Sequence, residues 1–170
     1  MTVAEWREKS DRICANIFAS VAFKKAKTVL AYFHFRQEPD LSPLFTNSLN
    51  NSPKTWAFPR CVDKSLQWCI WSPNDPVKIG AYGITEPHPD ASTITPTQVD
   101  LILVPSLACD YQKYRLGYGG GYYDRLLSSP EWEHKLTIGI VFEFSYLPQL
   151  PVESWDKRLQ GVCTETGLLI

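Results

Sequence analysis

The chain has 170 residues, 44% of them hydrophobic and 21% charged, with 17 basic against 18 acidic side chains. This length predicts one domain over residues 1–170 with a real core, and the balanced charge argues against disorder and against a nucleic-acid partner. No apolar run approaches the roughly 18–20 residues of a membrane span, and the opening MTVAEWREKSDR lacks a signal-peptide layout, so the expected protein is cytoplasmic, off the membrane and monomeric.

The first element is an amphipathic helix over about residues 4–22. Thr2 stands three residues before Glu5, the spacing of a capping box, and Trp6, Ile13, Ile17 and Val21 recur at helical intervals. Thr28 to Phe35 is β-branched and aromatic on both faces, as in a strand covered on both sides, and Glu38 falls just past its end. Pro39 to Leu49 predicts a short helix stopped by Asn50-Asn51-Ser52-Pro53. Strands are expected at Thr55–Phe58 and Leu66–Ile70, and after them a proline-punctuated connection from Val77 to Thr97 with little regular structure. Leu101 to Val104 is wholly aliphatic and ends at Pro105, the pattern of a central parallel strand. A helix over 121–127 and strands over 136–142 and 161–163 complete a three-layer α/β fold with a mainly parallel open sheet and helices on both faces. The five cysteines, Cys14, Cys61, Cys69, Cys109 and Cys163, form no CxxC pair, and His34, His88 and His134 are scattered. Free, mostly buried thiols and no histidine metal cage are expected.

Sheets of this kind bind ligands beyond the carboxyl ends of their strands, which directs attention to the segment after Val104. Four of the nine glycines fall within five residues there, in Arg115-Leu116-Gly117-Tyr118-Gly119-Gly120-Gly121-Tyr122-Tyr123-Asp124-Arg125. Glycines that turn backbone N–H groups to one side, beside Lys113, Arg115 and Arg125, make an anion seat, with phosphate the commonest occupant. Neither the Walker A ending nor GxGxxG spacing is present. A tight glycine turn with a solvated arginine is the plainer reading. Asp124 fits either Mg²⁺ on bound phosphates or a carboxylate favouring a helix N-terminus.

Leu103-Val-Pro-Ser-Leu-Ala-Cys-Asp110 followed by Arg115-Leu-Gly-Tyr-Gly-Gly-Gly-Tyr-Tyr-Asp124-Arg125 resembles the signature of the 5-formyltetrahydrofolate cyclo-ligases, also called methenyltetrahydrofolate synthetases. Further landmarks occur in order: Gln37-Glu38, Phe58-Pro59-Arg60, Gly80-Ala-Tyr-Gly-Ile-Thr-Glu86-Pro87, Leu150-Pro-Val-Glu-Ser-Trp-Asp156 and Thr164-Glu165. The resemblance spans nearly the whole chain and implies a Rossmann-like fold similar to that of CoA transferases. It also implies ATP- and Mg²⁺-dependent cyclisation of 5-formyltetrahydrofolate to 5,10-methenyltetrahydrofolate through phosphorylation of the formyl oxygen, with ADP and phosphate released.

Carried over by motif position, Arg115 to Tyr123 resemble the ATP loop, Tyr118 to Tyr122 also face the folate, and Asp124 and Asp156 are the magnesium carboxylates. Phe33 and Glu38 match folate-contacting positions, with Trp56, Phe58 or Tyr82 as further walls. Taken singly, each aromatic fits core packing, Glu38 a solvated loop acid and Asp156 a turn residue. The chain departs from the family pattern at Leu41, Cys109, Lys113 and Gln160, and it opens at what resembles the family's second helix, without the usual preceding Lys-x-x-x-Arg pair. Either Arg7, Lys9 or Arg12 replaces that pair, or the true start lies upstream of Met1. A folate- or nucleotide-binding protein with weak turnover is the competing function.

Overall fold

The computed structural model describes residues 1–46 and 53–170. Helix α1 spans Val3–Ala19; the Thr2 hydroxyl accepts the Glu5 N–H at 3.1 Å and the Glu5 carboxylate accepts the Thr2 N–H at 2.6 Å, closing the expected capping box. The helix does not run on to residue 22. Ser20 takes an extended conformation and its hydroxyl accepts the Phe23 N–H, so one serine ends α1 and caps α2, Val21–Lys25.

Strand β1 covers only Thr28–Leu30, not the expected Thr28 to Phe35. Beyond Ala31 the chain leaves the sheet, because the Tyr32 hydroxyl donates to the Pro39 carbonyl and Arg36, at φ 55°, turns the backbone back on itself. Helix α3 is Ser42–Thr46, and the expected continuation to Leu49 lies outside the described residues. Strand β2, Thr55–Val62, runs through Pro59 and pairs antiparallel with β3, Ser65–Ile70. Past Ala57 it has left its pairing register with β1, so the proline interrupts no ladder on that side.

The connection expected to be irregular holds a hairpin, β4 Val77–Ile79 and β5 Thr85–Pro87. Its tip is closed by Gly80 donating to Ile84 and Gly83 donating to Gly80, and it is tied to β2 by the buried Glu86 carboxylate, which accepts the Cys61 N–H at 2.8 Å. Next along the chain come strands β6 Leu101–Pro105, β7 Ala108–Asp110 and β8 Arg115–Leu116, then helix α4 Tyr122–Ser128, β9 Thr137–Ile140, β10 Tyr146–Leu147, β11 Gly161–Thr164 and β12 Gly167–Leu169. The short strands β7, β8, β10 and β12 have too little pattern to be seen in the sequence. β9 is shorter than the expected 136–142.

The main sheet has the order β12-β11-β9-β6-β1-β2-β3, parallel from β11 to β2 and antiparallel at its two edges. β6 lies in the middle, and Leu101, Ile102, Leu103 and Val104 are all fully buried. Leu101 and Leu103 pack toward α1, α2 and α3, with Ile13, Ile17, Phe23 and Leu44. Ile102 and Val104 pack on the other face with Leu126 and Leu127 of α4 and with Trp132. Each such side chain contributes about 1.5–3 kcal/mol on burial, which is why the strand reads as a continuous aliphatic run. The three layers are therefore as expected. All five cysteines are free, and all but the half-buried Cys61 are buried. No helix among the described residues is long and apolar enough to cross a membrane.

Candidate active site at the carboxyl end of the sheet

The glycine loop runs from β8 to α4 and is folded by its own arginines. The Arg115 guanidinium donates to the Pro105 carbonyl at 2.9 Å and lies 5.1 Å over the Tyr123 ring, and its side chain is only 8% exposed. A side chain at Gly117 would meet Arg115 Nη2 at 2.6 Å, so glycine there is what lets the guanidinium fold inward. Gly121, at φ 71°, caps α4. Arg125 donates to Gly120 O at 2.9 Å and to Lys64 O at 2.8 Å, fixing the loop to the β2–β3 turn. Arg115 is thus an inward, hydrogen-bonded cation rather than a solvated one. Asp124 points outward, 55% exposed, with its carboxylate 3.9 Å from Arg115 Nη1.

Opposite lies the turn after β1. The Glu38 carboxylate accepts the Phe35 N–H at 2.8 Å, while the Glu38 carbonyl accepts the Trp6 indole N–H at 3.0 Å. Burial raises the Glu38 carboxyl above the usual range, and the Phe35 N–H, His34, Arg115 and the Tyr118 hydroxyl act against that. Arg115 and Tyr118 therefore stand close enough to Glu38 to bear on its charge. The Tyr118 ring meets Phe35 edge-on at 6.4 Å, so an acid able to take ring N–H donors faces the glycine loop.

The hairpin tip forms a third wall: the Tyr82 and Tyr122 hydroxyls lie 2.9 Å apart, and a side chain added at Gly83 would come within 3.9 Å of the Phe35 ring. The other aromatics named from the sequence pack with one another. Phe33 stacks on Phe58 at 4.3 Å within a cluster including Phe45 and Trp71, and Trp56 and Phe58 are buried in the core. Phe35, two residues on, is the aromatic beside Glu38. The sequence reading did not name Phe35 as a candidate, because it carries no local pattern; Glu86, quoted there only within a landmark, is brought to β2 by the hairpin's return.

Arg7 is engaged by Asp11 and Asp40, Lys9 by Glu165 and Arg12 by Glu8, so the three cations considered for phosphate contacts are held in ion pairs. Asp156 accepts the Glu153 N–H at 2.7 Å through one oxygen, in a turn of its own. Among the described residues no cluster of three His, Cys, Asp or Glu side chains forms a protein-only metal cage. Two clefts, of about 140 Å³ beside Thr137 and about 380 Å³ beside Trp71, share no lining residue with the Glu38, Arg115 and Asp124 group, which is an open crevice between loops.

The model of the 5-formyltetrahydrofolate cyclo-ligase family matches residues 1–165. The 5-formyltetrahydrofolate cyclo-ligase of Escherichia coli K12 is 28% identical over 170 residues, covering 96% of this chain and 92% of that protein. That of Haemophilus influenzae is 26% identical over 165 residues, covering 94% and 87%. Among solved structures, the 5,10-methenyltetrahydrofolate synthetase of Aquifex aeolicus superposes with a TM-score of 0.84 at 32% identity, over 99% of this chain and 84% of that one. The synthetase of Mycoplasma pneumoniae, at 20% identity and a TM-score of 0.76 over 97% of this chain and 90% of that one, shares the fold. Matched by sequence and by fold along nearly its whole length, the chain belongs to the 5-formyltetrahydrofolate cyclo-ligase family, a family of ligases.

Proposed function

We propose that this chain converts 5-formyltetrahydrofolate to 5,10-methenyltetrahydrofolate with consumption of ATP. The observation that carries the reading is the approach of two unlike groups across the carboxyl end of the sheet, the half-buried acid Glu38 and the inward cation Arg115. Glu38 accepts from the donor-rich edge of the pterin, with Phe35 and Tyr118 beside it. Arg115 and the glycine loop hold the phosphates.

The chemistry needs such a pair. A formamide carbon is a poor electrophile because nitrogen donates into the carbonyl, so its oxygen must first become a leaving group. The formyl oxygen attacks the γ-phosphorus; the bond from phosphorus to the ADP oxygen breaks and its electron pair leaves with ADP. N10 then attacks the formyl carbon and the carbon–oxygen bond breaks, its pair going to the phosphate oxygen. The N10 proton leaves with the phosphate, so the methenyl cation, ADP and hydrogen phosphate balance the substrates. The residues align the reactants and neutralise phosphate charge, and no protein nucleophile is required.

Magnesium fits the donors present. The Asp124 carboxylate has no hydrogen-bond partner among the described residues, and Asp156 leaves one oxygen free, which suits an ion that takes one or two carboxylates plus phosphate oxygens and water. When bound, Mg²⁺ neutralises charge on the phosphates. The test is to incubate the chain with 5-formyltetrahydrofolate and Mg-ATP, following methenyl product by its near-ultraviolet absorbance and ADP by a coupled assay. One ADP per methenyl product is expected. Binding of both ligands without product overturns the reading.

A further inference from the structure

Arg115 and Asp156 share one mount, the buried carboxylate of Asp110. Asp110 ends β7 and is 1% exposed. Its Oδ1 accepts the Gln112 and Tyr114 N–H groups at 2.9 and 3.0 Å, and its Oδ2 accepts the Leu150 N–H at 3.0 Å. The first two bonds close the turn over 110–114, which places Lys113 at φ 73°, a costly conformation for a residue with a side chain, and delivers Arg115 into β8 opposite Cys109. The third bond fixes the start of the segment that carries Asp156. That segment, 148–160, has no helix or strand of its own. At its far end it returns to the same turn, where the Leu159 N–H donates to the Lys113 carbonyl at 2.8 Å and the Arg158 guanidinium lies 5.1 Å over the Tyr114 ring. Asp156 therefore hangs on a loop pinned at both ends to the turn that leads into Arg115. Burying a carboxylate is costly unless its oxygens are bonded, and among the described residues every bond to this one comes from backbone N–H. Asparagine has a single acceptor oxygen and a nitrogen that only donates, so it could serve one side of this junction but not both.

Resting on the reading of Arg115 as the phosphate cation and of Asp156 as a magnesium carboxylate, we propose that Asp110 is a positioning residue for the reaction: its two oxygens hold the Arg115 turn and the Asp156 segment in one fixed relation, so that cation and metal ligand meet the same phosphates. Asp110 acts through the backbone of both and touches no substrate. Phosphoryl transfer depends mostly on alignment, so a junction that lets one part slip by about an ångström costs rate even where the fold survives.

The experiment uses the full chain with Asp110→Asn and follows thermal melting, amide hydrogen exchange along 110–116 and 147–160, the Mg²⁺ concentration giving half-maximal methenyl formation, and kcat at saturating ligands. Exchange should be at least about tenfold faster on the side of the junction that loses its acceptor, at the 112 and 114 amides or at the 150 amide. Well below its melting temperature the variant should need roughly tenfold more Mg²⁺ and turn over roughly 10- to 100-fold more slowly. The KM for the folate should stay within about threefold, because the Glu38 turn is held by other elements. Made on Asp156→Asn, the same change should no longer raise the Mg²⁺ requirement, since the residue it acts through is gone.

A folded Asp110→Asn with a normal Mg²⁺ requirement overturns the assignment even where it melts earlier, because Asp110 is then purely structural. A Mg²⁺ effect of full size on the Asp156→Asn background overturns it too. Should Asp110→Asn not fold, Arg158→Ala decides. That exposed side chain ties the segment to Tyr114, so its loss should raise the Mg²⁺ requirement about two- to fivefold, the range of one cation–π contact, and an unchanged requirement overturns the proposal. An Asp156→Asn variant with the Mg²⁺ requirement of wild type overturns the underlying reading of Asp156, whereas a raised requirement there beside an unchanged one in Asp110→Asn overturns this inference alone.

Discussion

The two sides of the crevice are built in opposite ways. The glycine loop supplies much of its own support at its base, where Arg115 bonds Pro105 ten residues away and Arg125 bonds Gly120 five residues away, and it takes long-range ties only where Arg125 and Tyr122 bond the β2–β3 turn and Tyr122 meets Tyr82. The Glu38 turn is held from a distance. Trp6 reaches its carbonyl across 32 residues, and the neighbouring Asp40 accepts from Arg7 at 2.6 Å and from Ser42 N–H at 2.9 Å, with His34 at 3.3 Å. A loop that supplies much of its own support can carry its chemistry in a short motif, whereas a turn braced by a remote helix depends on the fold being complete.

The sharpest way to break the comparison is at the loop's exposed acid. Asp124→Asn keeps size and removes the charge proposed to act on the phosphates, so methenyl formation should fall by at least about two orders of magnitude. Stability should change by no more than about 1 kcal/mol, the size of a helix-terminus charge effect. A variant that melts much earlier but turns over normally would make Asp124 structural.

Next in size is Glu38→Gln. The amide can still accept the Phe35 N–H through its oxygen but loses the charge proposed to meet the pterin, so kcat/KM for the folate should fall roughly 10- to 100-fold, as for loss of a charged hydrogen bond. ATP affinity, read by calorimetry, should stay put if the two sides are separately built. Equal loss of both ligands would show that they are one unit.

Trp6→Phe probes the brace itself, removing the indole donor while keeping an aromatic ring beside His34. One neutral hydrogen bond is worth about 0.5–1.5 kcal/mol, so the KM for the folate should rise about two- to tenfold with ATP affinity unchanged. An unaltered KM would mean that the turn holds itself.

The smallest effect is a pH dependence at His34 and Asp40. Asp40 raises the pKa of His34 against the effect of burial, and, although burial alone would raise Asp40, His34, Arg7 and Ser42 hold it well below the usual carboxylate range. A raised histidine contributes stability that is fully present below its ordinary pKa of about 6.5 and is lost as pH rises through the higher folded value. His34 is more than a third exposed, so solvent screening limits the pair to about 1 kcal/mol or less. Wild type should therefore melt at most about 2–4 °C above His34→Gln at pH 6 or below, with the gap closing in mild alkali. A constant gap would assign the stabilisation to packing.

What the sequence alone determined is what short-range physics controls. The capping box at Thr2, the aliphatic β6 and the glycine loop opening α4 all rest on patterns within a few residues, and the layer order came from them. Only the tertiary structure decided where β1 stops, since Tyr32 must find Pro39 and Arg36 must turn the chain, and that Phe35 meets both Glu38 and Tyr118. It also decided that Arg7, Lys9 and Arg12 are paired with carboxylates and that Glu86 returns to β2 through a hairpin hidden among prolines. Each depends on which distant groups come into reach when a charge or donor leaves water, and nothing in a residue's own neighbourhood along the chain records that.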